Sequence, residues 1–226
     1  MKALLISIII FMFFLTGCIP PTMSKEKFSP KMYSEHPISI LVLPPANKST
    51  AADAKDYYLT TVAEPLTNTG YYVFPIEIVS EVLKQEGLSD VESMANVPPQ
   101  KFAEFFGADA VLYVSILKWN TSYLILSGDV TVQIECELKS TKSGESLWYY
   151  NEEIKVNTTD NTNYGGGLAG LLVQAVGTAL KTAMTDYVPV ALNVNKKIML
   201  ALPFGQHHGS FNLDRAEQVL VKAKIK

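Results

Sequence analysis

Side chains able to do chemistry are few in this sequence of 226 residues, which holds two cysteines and three histidines. Cys18 follows Leu15-Thr16-Gly17, and Cys136 falls in an alternating apolar pattern that makes it a small core residue. His36 stands next to Pro37 in a segment that reads as solvated. His207 and His208 are adjacent, just before Gly209, in an expected loop. Such a pair can bind zinc, but the spacing is not that of a zinc site and no cysteine is near, so no metal is assigned. Nucleophilic catalysis needs Ser or Cys with a base and an orienting acid. No G-x-S-x-G elbow, H-E-x-x-H or P-loop is present. Tyr164-Gly-Gly-Gly167 before a helix is the nearest thing to a phosphate cradle. It lacks the following Lys and the preceding buried strand, and reads as a flexible opening into the helix. Glu135, Glu137 and Glu153 belong to the polar side of a hairpin, and Glu152 to its edge. No catalytic residue and no cofactor is assigned. An unrecognised periplasmic hydrolase using His207 or His208 is the enzymatic alternative.

Cys18 has a different context. Lys2 gives a positive start and Ala3–Leu15 an uncharged run, closed by small residues, as in a secretory signal. The run is shorter than the roughly 20 residues that span a bilayer as a helix. Leu-x-Gly-Cys at its end resembles the lipobox of bacterial lipoproteins, which makes Cys18 the expected lipidation site. The resemblance implies a diacylglycerol plus an N-acyl chain there. Several chains anchor stably where one binds only marginally. Ile19 follows the cysteine, where Asp is the usual inner-membrane retention signal, so the implied address is the outer membrane. The expected divisions are a signal peptide over 1–17, a lipidated tether over 18–37 and a single domain over 38–226. The tether holds Pro20, Pro21, Pro30 and Pro37, shows no periodicity, and would reach about 25 Å as a flexible coil. Without Cys18, Cys136 has no intrachain partner for a disulfide. Removing Lys2 leaves 18 Lys+Arg against 22 Asp+Glu (19 less one), a mildly acidic chain with no basic stripe. Nucleic acid is therefore not an expected partner.

The elements that would position these residues follow from patterning. Ile38–Leu43 is continuous and β-branched, as in a strand buried on both faces. A helix is expected over 51–69, stopped by Gly70, then a strand at Tyr71–Phe74 and a helix from Pro75 to Glu86. A loop leads to a helix from Pro98-Pro99 through Phe106. Asp109–Trp119 is another buried strand. Val130, Val132, Ile134, Cys136 and Leu138 then alternate with polar residues, and after a turn at Thr141–Gly144 a second strand repeats the pattern. A helix from Leu168 to Tyr187 keeps apolar residues at i, i+3, i+4 and i+7. Its second face is small and weakly polar, which makes Leu168, Gly170, Val173, Gly177 and Thr178 the expected homodimer interface. Lys197–Leu202 could form an edge strand and Leu213–Val221 a short helix, with a solvated basic tail after them. This order implies an α/β (α+β) sandwich: a mixed sheet of about five strands with an antiparallel meander, and helices packed on it.

The segments I-L-V-L-P-P-A-N-K-S (40–49) and G-A-D-A-V-L-Y-V-S-I (107–116), with the hairpin after them, resemble the fold of TolB N-terminal domains, CsgG and LpoB. The lipobox, the Leu-Pro-Pro strand end and Tyr-Gly-Gly-Gly-Leu resemble more closely a bacterial lipoprotein family of unknown function that includes a meningococcal lipoprotein antigen. Genes of that family tend to lie beside a CsgG-like lipoprotein. The resemblance implies a non-enzymatic accessory subunit of an envelope transport or secretion-type assembly with a CsgG-like partner, facing the periplasm or the cell surface. The LpoB likeness implies instead a regulator of a peptidoglycan synthase or a cell-wall binder. The paired long membrane-spanning hairpins of CsgG pores are missing, so a pore formed by this chain alone is not expected.

Overall fold

The computed structural model describes residues 22–124, 127–157 and 187–220. Its centre is a mixed six-stranded sheet, with a separate two-stranded ribbon at one end. β1 (Thr22–Ser24), α1 (Lys25–Phe28) and α2 (Met32–Glu35) lead to β2 (Ser39–Val42). β3 (Ala46–Asn47), α3 (Ala54–Asn68), β4 (Tyr72–Val73), α4 (Ile76–Gln85), α5 (Val91–Asn96) and α6 (Pro99–Phe106) follow. The long strands β5 (Ala110–Leu124), β6 (Ser127–Ser140) and β7 (Ser146–Asn157) come next, then α7 (Val188–Met199) and β8 (Gln218–Leu220). The sheet order is β4-β2-β5-β6-β7, with β3 also pairing β5. Pairs among β2, β3, β4 and β5 are parallel, and β5-β6-β7 is the antiparallel meander. The mixed sheet, its meander and its packed helices agree with the sandwich expected from the patterning.

The continuous apolar run at β2 exists because both faces of the sheet are covered there. Ile40 and Val42 face a core built with Tyr58, Val62 and Leu66 of α3 and Val190, Val194 and Ile198 of α7. Leu41 and Leu43 face the opposite way, into a second core with Val79, Leu83, Met94 and Phe102. Prolines 44 and 45 donate no backbone hydrogen bond, so β2 stops and β3 resumes the pairing with β5. Along β6 the alternate residues Val130, Val132, Ile134, Cys136 and Leu138 are buried, and the sequence alternates accordingly.

The register of β2 on β5 is locked by Asp109. Its Oδ2 accepts from the backbone N of Ile38 at 3.0 Å and of Ser39 at 2.9 Å, and from Ser39 Oγ at 2.9 Å. A bulge between Ile116 and Lys118 then switches faces along β5. Before it Val114 and Ile116 point to the core. After it Trp119 does, at 3% exposure, while Lys118 turns outward to meet Glu153 at 2.9 Å.

Three expectations need correction. Residues 22–37 are not a free tether: β1 pairs antiparallel with β8, and Met32 and Tyr33 are buried. Lys197–Leu202 is not an edge strand. Residues up to Met199 belong to α7, whose Val190, Ala191, Val194 and Ile198 keep helical spacing and are buried. Leu213–Leu220 is not a helix, because turns over 211–213 lead into β8. The expected loop after Gly87 also contains a short helix, α5, capped by Asp90 accepting from Ser93 N at 2.8 Å. The helix expected over 168–187, apart from Tyr187, lies outside the described residues.

Gly70 ends α3 at φ +91° and lies against the 205–208 loop, where an added Cβ would meet His208 N at 2.5 Å. Gly87 has φ +81° but open space around it. Gly87→Ala therefore carries the backbone cost alone, about 1 kcal/mol, whereas Gly70→Ala adds a steric cost and is expected to lose about 2–4 kcal/mol. Chemical denaturation of both variants checks this; equal losses would show that the loop yields.

Candidate functional site

The densest set of charges taken out of water lies where the beginning of the fold meets its last elements. Lys25 opens α1 immediately after β1, and its side chain is 3% exposed. The Nζ lies 3.2 Å from Asp214 Oδ2, whose side chain is fully buried, and 3.0 Å from Glu217 Oε2. It also stands 4.4 Å from the centre of the Phe204 ring. Asp214 Oδ2 accepts from Phe204 N at 2.8 Å, so one carboxylate ties three stretches of chain together. Backbone bonds complete the clamp: Lys25 N donates to Glu217 O at 2.8 Å and Glu26 N to Arg215 O at 3.2 Å. Outside it, Arg215 pairs with Glu26 at 2.7 Å and lies 4.6 Å over the Tyr33 ring. Burial, and then the Asp214 charge, hold the Tyr33 hydroxyl above its ordinary ionisation range.

The two histidines singled out in the sequence belong to this neighbourhood as structural parts. The His208 ring stacks on Phe204 at 3.7 Å, and its Nδ1 accepts from Ser210 N at 3.1 Å. His207 N donates to Gly70 O at 3.1 Å, and Gly205 N to Thr69 O at 2.8 Å. The His207 backbone and the His208 ring thus help fasten a loop to the end of α3, while the His207 side chain is exposed. His36 adopts φ 49° and meets Phe211 edge-on at 5.4 Å, instead of standing free in a solvated tether. Among the described residues no group of three or more His, Cys, Asp or Glu is placed to hold a metal.

Cys136 is fully buried between β5 and β7, as its parity in the hairpin implies. Burial pushes its thiol up to about 12, with the Tyr58 hydroxyl beside it pulling slightly the other way. At neutral pH it is a protonated core residue with no nucleophile's character. The carboxylates of the meander are engaged on its polar face. Glu153 pairs with Lys118, and Glu137 lies 3.4 Å from Lys139. Glu135 accepts from Tyr149 Oη at 2.8 Å and Asn151 Nδ2 at 3.2 Å.

A cleft of about 450 Å³ opens beside Asp53, Tyr57, Trp119 and Tyr187. Its three rings lie 5.8–6.4 Å from one another, and among the described residues Asp53 is the single acid lining it. A smaller cleft of about 110 Å³ lies between α5 and the polar face of the meander. Cys18, the Tyr164-Gly-Gly-Gly167 run and the interface residues Leu168, Gly170, Val173, Gly177 and Thr178 lie outside the described residues. What sequence reasoning missed is the clamp. Lys25 and Asp214 stand 189 residues apart, and no local pattern marks two such residues as partners.

The chain belongs to the family described as "Putative lipoprotein GNA1162-like", whose model matches residues 30–205. It is 38% identical over 150 residues to a protein of Neisseria meningitidis serogroup B that is likewise named a lipoprotein, covering 66% of this chain and 68% of that one. The crystal structure of lipoprotein GNA1162 from Neisseria meningitidis is similar at TM-score 0.51 and 38% identity, covering 64% of this chain and 98% of the other. The PelC dodecamer from Paraburkholderia phytofirmans gives TM-score 0.47 at 14% identity, covering 83% of this chain and 98% of that one. The LpoB C-terminal domain from Escherichia coli gives 0.34 at 18% identity, covering 58% and 95%. These last two likenesses carry nothing about activity or assembly. The family is the one that the lipobox, the Leu-Pro-Pro strand end and the glycine run resemble.

Removing one member of a buried ion pair leaves the other uncompensated, at a cost of about 3–5 kcal/mol. Lys25→Met is expected to lose that much in urea unfolding. The double variant Lys25→Met/Asp214→Leu, which removes both charges, should regain most of it. A double variant as unstable as the single one would mean that packing, not charge, holds the clamp.

Proposed function

We propose that this protein is a non-enzymatic lipoprotein of the outer membrane, acylated on Cys18. It serves there as an accessory subunit of an envelope transport or secretion-type assembly with a CsgG-like partner. The observation that carries the reading is how close the folded edge lies to the lipobox. Ile19–Pro21 alone separate Cys18 from β1, a stretch of four residue steps to Thr22. At about 3.5 Å per residue that link spans roughly 14 Å at most. A free tether through residue 37 would instead let the domain stand off the membrane. Here the acyl chains hold a compact domain at the bilayer surface, the position of a subunit that works against membrane-embedded neighbours. Membership of a lipoprotein family supports the acylation, and Ile19 supports the outer membrane. No helix among the described residues is long and apolar enough to cross a bilayer.

Mass spectrometry of the N-terminal peptide and membrane fractionation test the anchor together. The wild-type chain should begin at an acylated Cys18 and sediment with the outer membrane. Cys18→Ala should keep residues 1–17, carry no acyl mass and stay with the inner membrane. An unmodified Cys18 in the wild type would overturn the reading. A pull-down from solubilised envelope reads the partner: recovery of a CsgG-like lipoprotein is expected, and recovery of a peptidoglycan synthase would favour a regulator instead.

The homodimer belongs to the same proposal. The small second face expected on the 168–187 segment suits close helix approach, so Gly170→Leu and Gly177→Leu should weaken association by crowding. Light scattering in detergent reads the mass; wild-type mass in both variants would remove this interface.

A further inference from the structure

We propose that the cleft beside Tyr57, Trp119 and Tyr187 binds an organic ammonium ion, an N-alkylated group such as trimethylammonium held over the three rings with its charge answered by Asp53. The proposal goes beyond the anchor and the partner and depends on neither. Three elements build the site. Asp53 and Tyr57 stand one turn apart where α3 opens, with Tyr57 N donating to Asp53 O at 3.1 Å. The bulge in β5 turns Trp119 to the same side, and Tyr187 stands at the start of α7. Thr50 and Asn120 complete the rim. At about 450 Å³ the cleft falls within the roughly 300–1,000 Å³ of small-molecule sites.

The rings carry the recognition. Their centroids are 5.9 Å apart from Tyr57 to Trp119, 5.8 Å from Tyr57 to Tyr187 and 6.4 Å from Trp119 to Tyr187, with planes inclined at 32°, 54° and 86°. Rings so inclined make a cup and not a stack. An atom centred over a triangle of that size lies within roughly 6 Å of all three centroids, the range at which a ring attracts a cation. Trp119, at 3% exposure, is the floor, and the half-buried Tyr57 and Tyr187 are the walls. Among the described residues no lysine or arginine lines the cleft.

Asp53 supplies the charge. It holds the N-cap position of α3, where a carboxylate ordinarily accepts from the first amides of the helix, yet its side chain makes no capping bond. The side chain is instead exposed at the cleft. Its full negative charge offsets the roughly half positive charge at the start of each helix. An alkylated ammonium suits the site better than a bare one, because its methyl groups need no hydrogen-bond acceptors and the ring faces offer none.

Isothermal titration calorimetry tests this on the full-length protein, purified from membranes in dodecyl maltoside, whose headgroup is uncharged. Choline and glycerophosphocholine present the same trimethylammonium group, one as a free solute and the other as a lipid headgroup. 3,3-Dimethylbutanol has the shape of choline without its charge. Saturable binding of choline or glycerophosphocholine is expected, with dimethylbutanol weaker by about tenfold or more. The tighter of the two cations identifies the source. Asp53→Asn, at an exposed position, should lose about tenfold in affinity with an unchanged thermal melt, and Tyr57→Leu should lose at least as much. Equal binding of choline and dimethylbutanol overturns the ammonium. Affinity unchanged in either variant overturns the site. Absence of saturable binding by both cations overturns the proposal as a whole.

Discussion

Asp214 and Lys25 face each other with almost no access to water, and an ion pair in that position is costly unless every lone pair and proton is used. Here Asp214 Oδ2 also takes the Phe204 amide, and the ammonium also takes Glu217 and the face of the Phe204 ring, while the buried Asp214 Oδ1 has no hydrogen-bond partner among the described residues. The charges are thereby shared among three stretches of backbone: the opening of α1, the loop after α7 and the turn before β8. Without that arrangement β1 would have three residues of pairing with β8 to hold it, too little for a ribbon to persist alone. The clamp makes Thr22–Ser24, the first described residues, part of the domain.

The rest of the fold is organised by how many faces of each strand are covered. β2 is sealed on both sides, by α3 and α7 on one and by α4 and α6 on the other, and its residues are apolar throughout. Along β6 every second residue is polar, with Glu135 and Glu137, and Glu153 of β7, engaged by neighbours on that face. The bulge in β5 is where these regimes join. By shifting parity it lets Trp119 continue the core while Lys118 joins the polar face.

Local chemistry made the central sandwich legible. The double-sided run at 38–43, the alternation of 130–138 and 148–156, and the glycines after α3, α4 and α6 each report on a constraint within a few residues of themselves. Cys136 was readable for the same reason: parity alone placed it in the core. The misreadings share a different cause. Residues 22–37 are rich in proline and charge, as a linker would be, yet they fold because Asp214 and β8 receive them from the far end of the chain. Lys197–Leu202 suggested a strand because its apolar residues are closely spaced. The helix that ends at Met199 is defined further back, by Pro189 in its first turn and a buried stripe from Val190 to Ile198. The histidine pair was assigned no metal, and its surroundings come from two ranges: Gly70, far off in sequence, accepts from the His207 backbone, while Phe204 of the same loop stacks on His208.

The long separation between β1 and β8 also bears on how the chain is made and delivered. A loop of this length closes slowly, because its ends must find each other before any contact rewards them. During synthesis and export from the N-terminus, Lys25 has no counter-charge until residue 214 has arrived. Thr22–Ser24 therefore stay without their strand partner while the rest of the chain is still being made. Closure of the ribbon waits for Gln218–Leu220, so the first strand of the fold is paired only when the last one has been made.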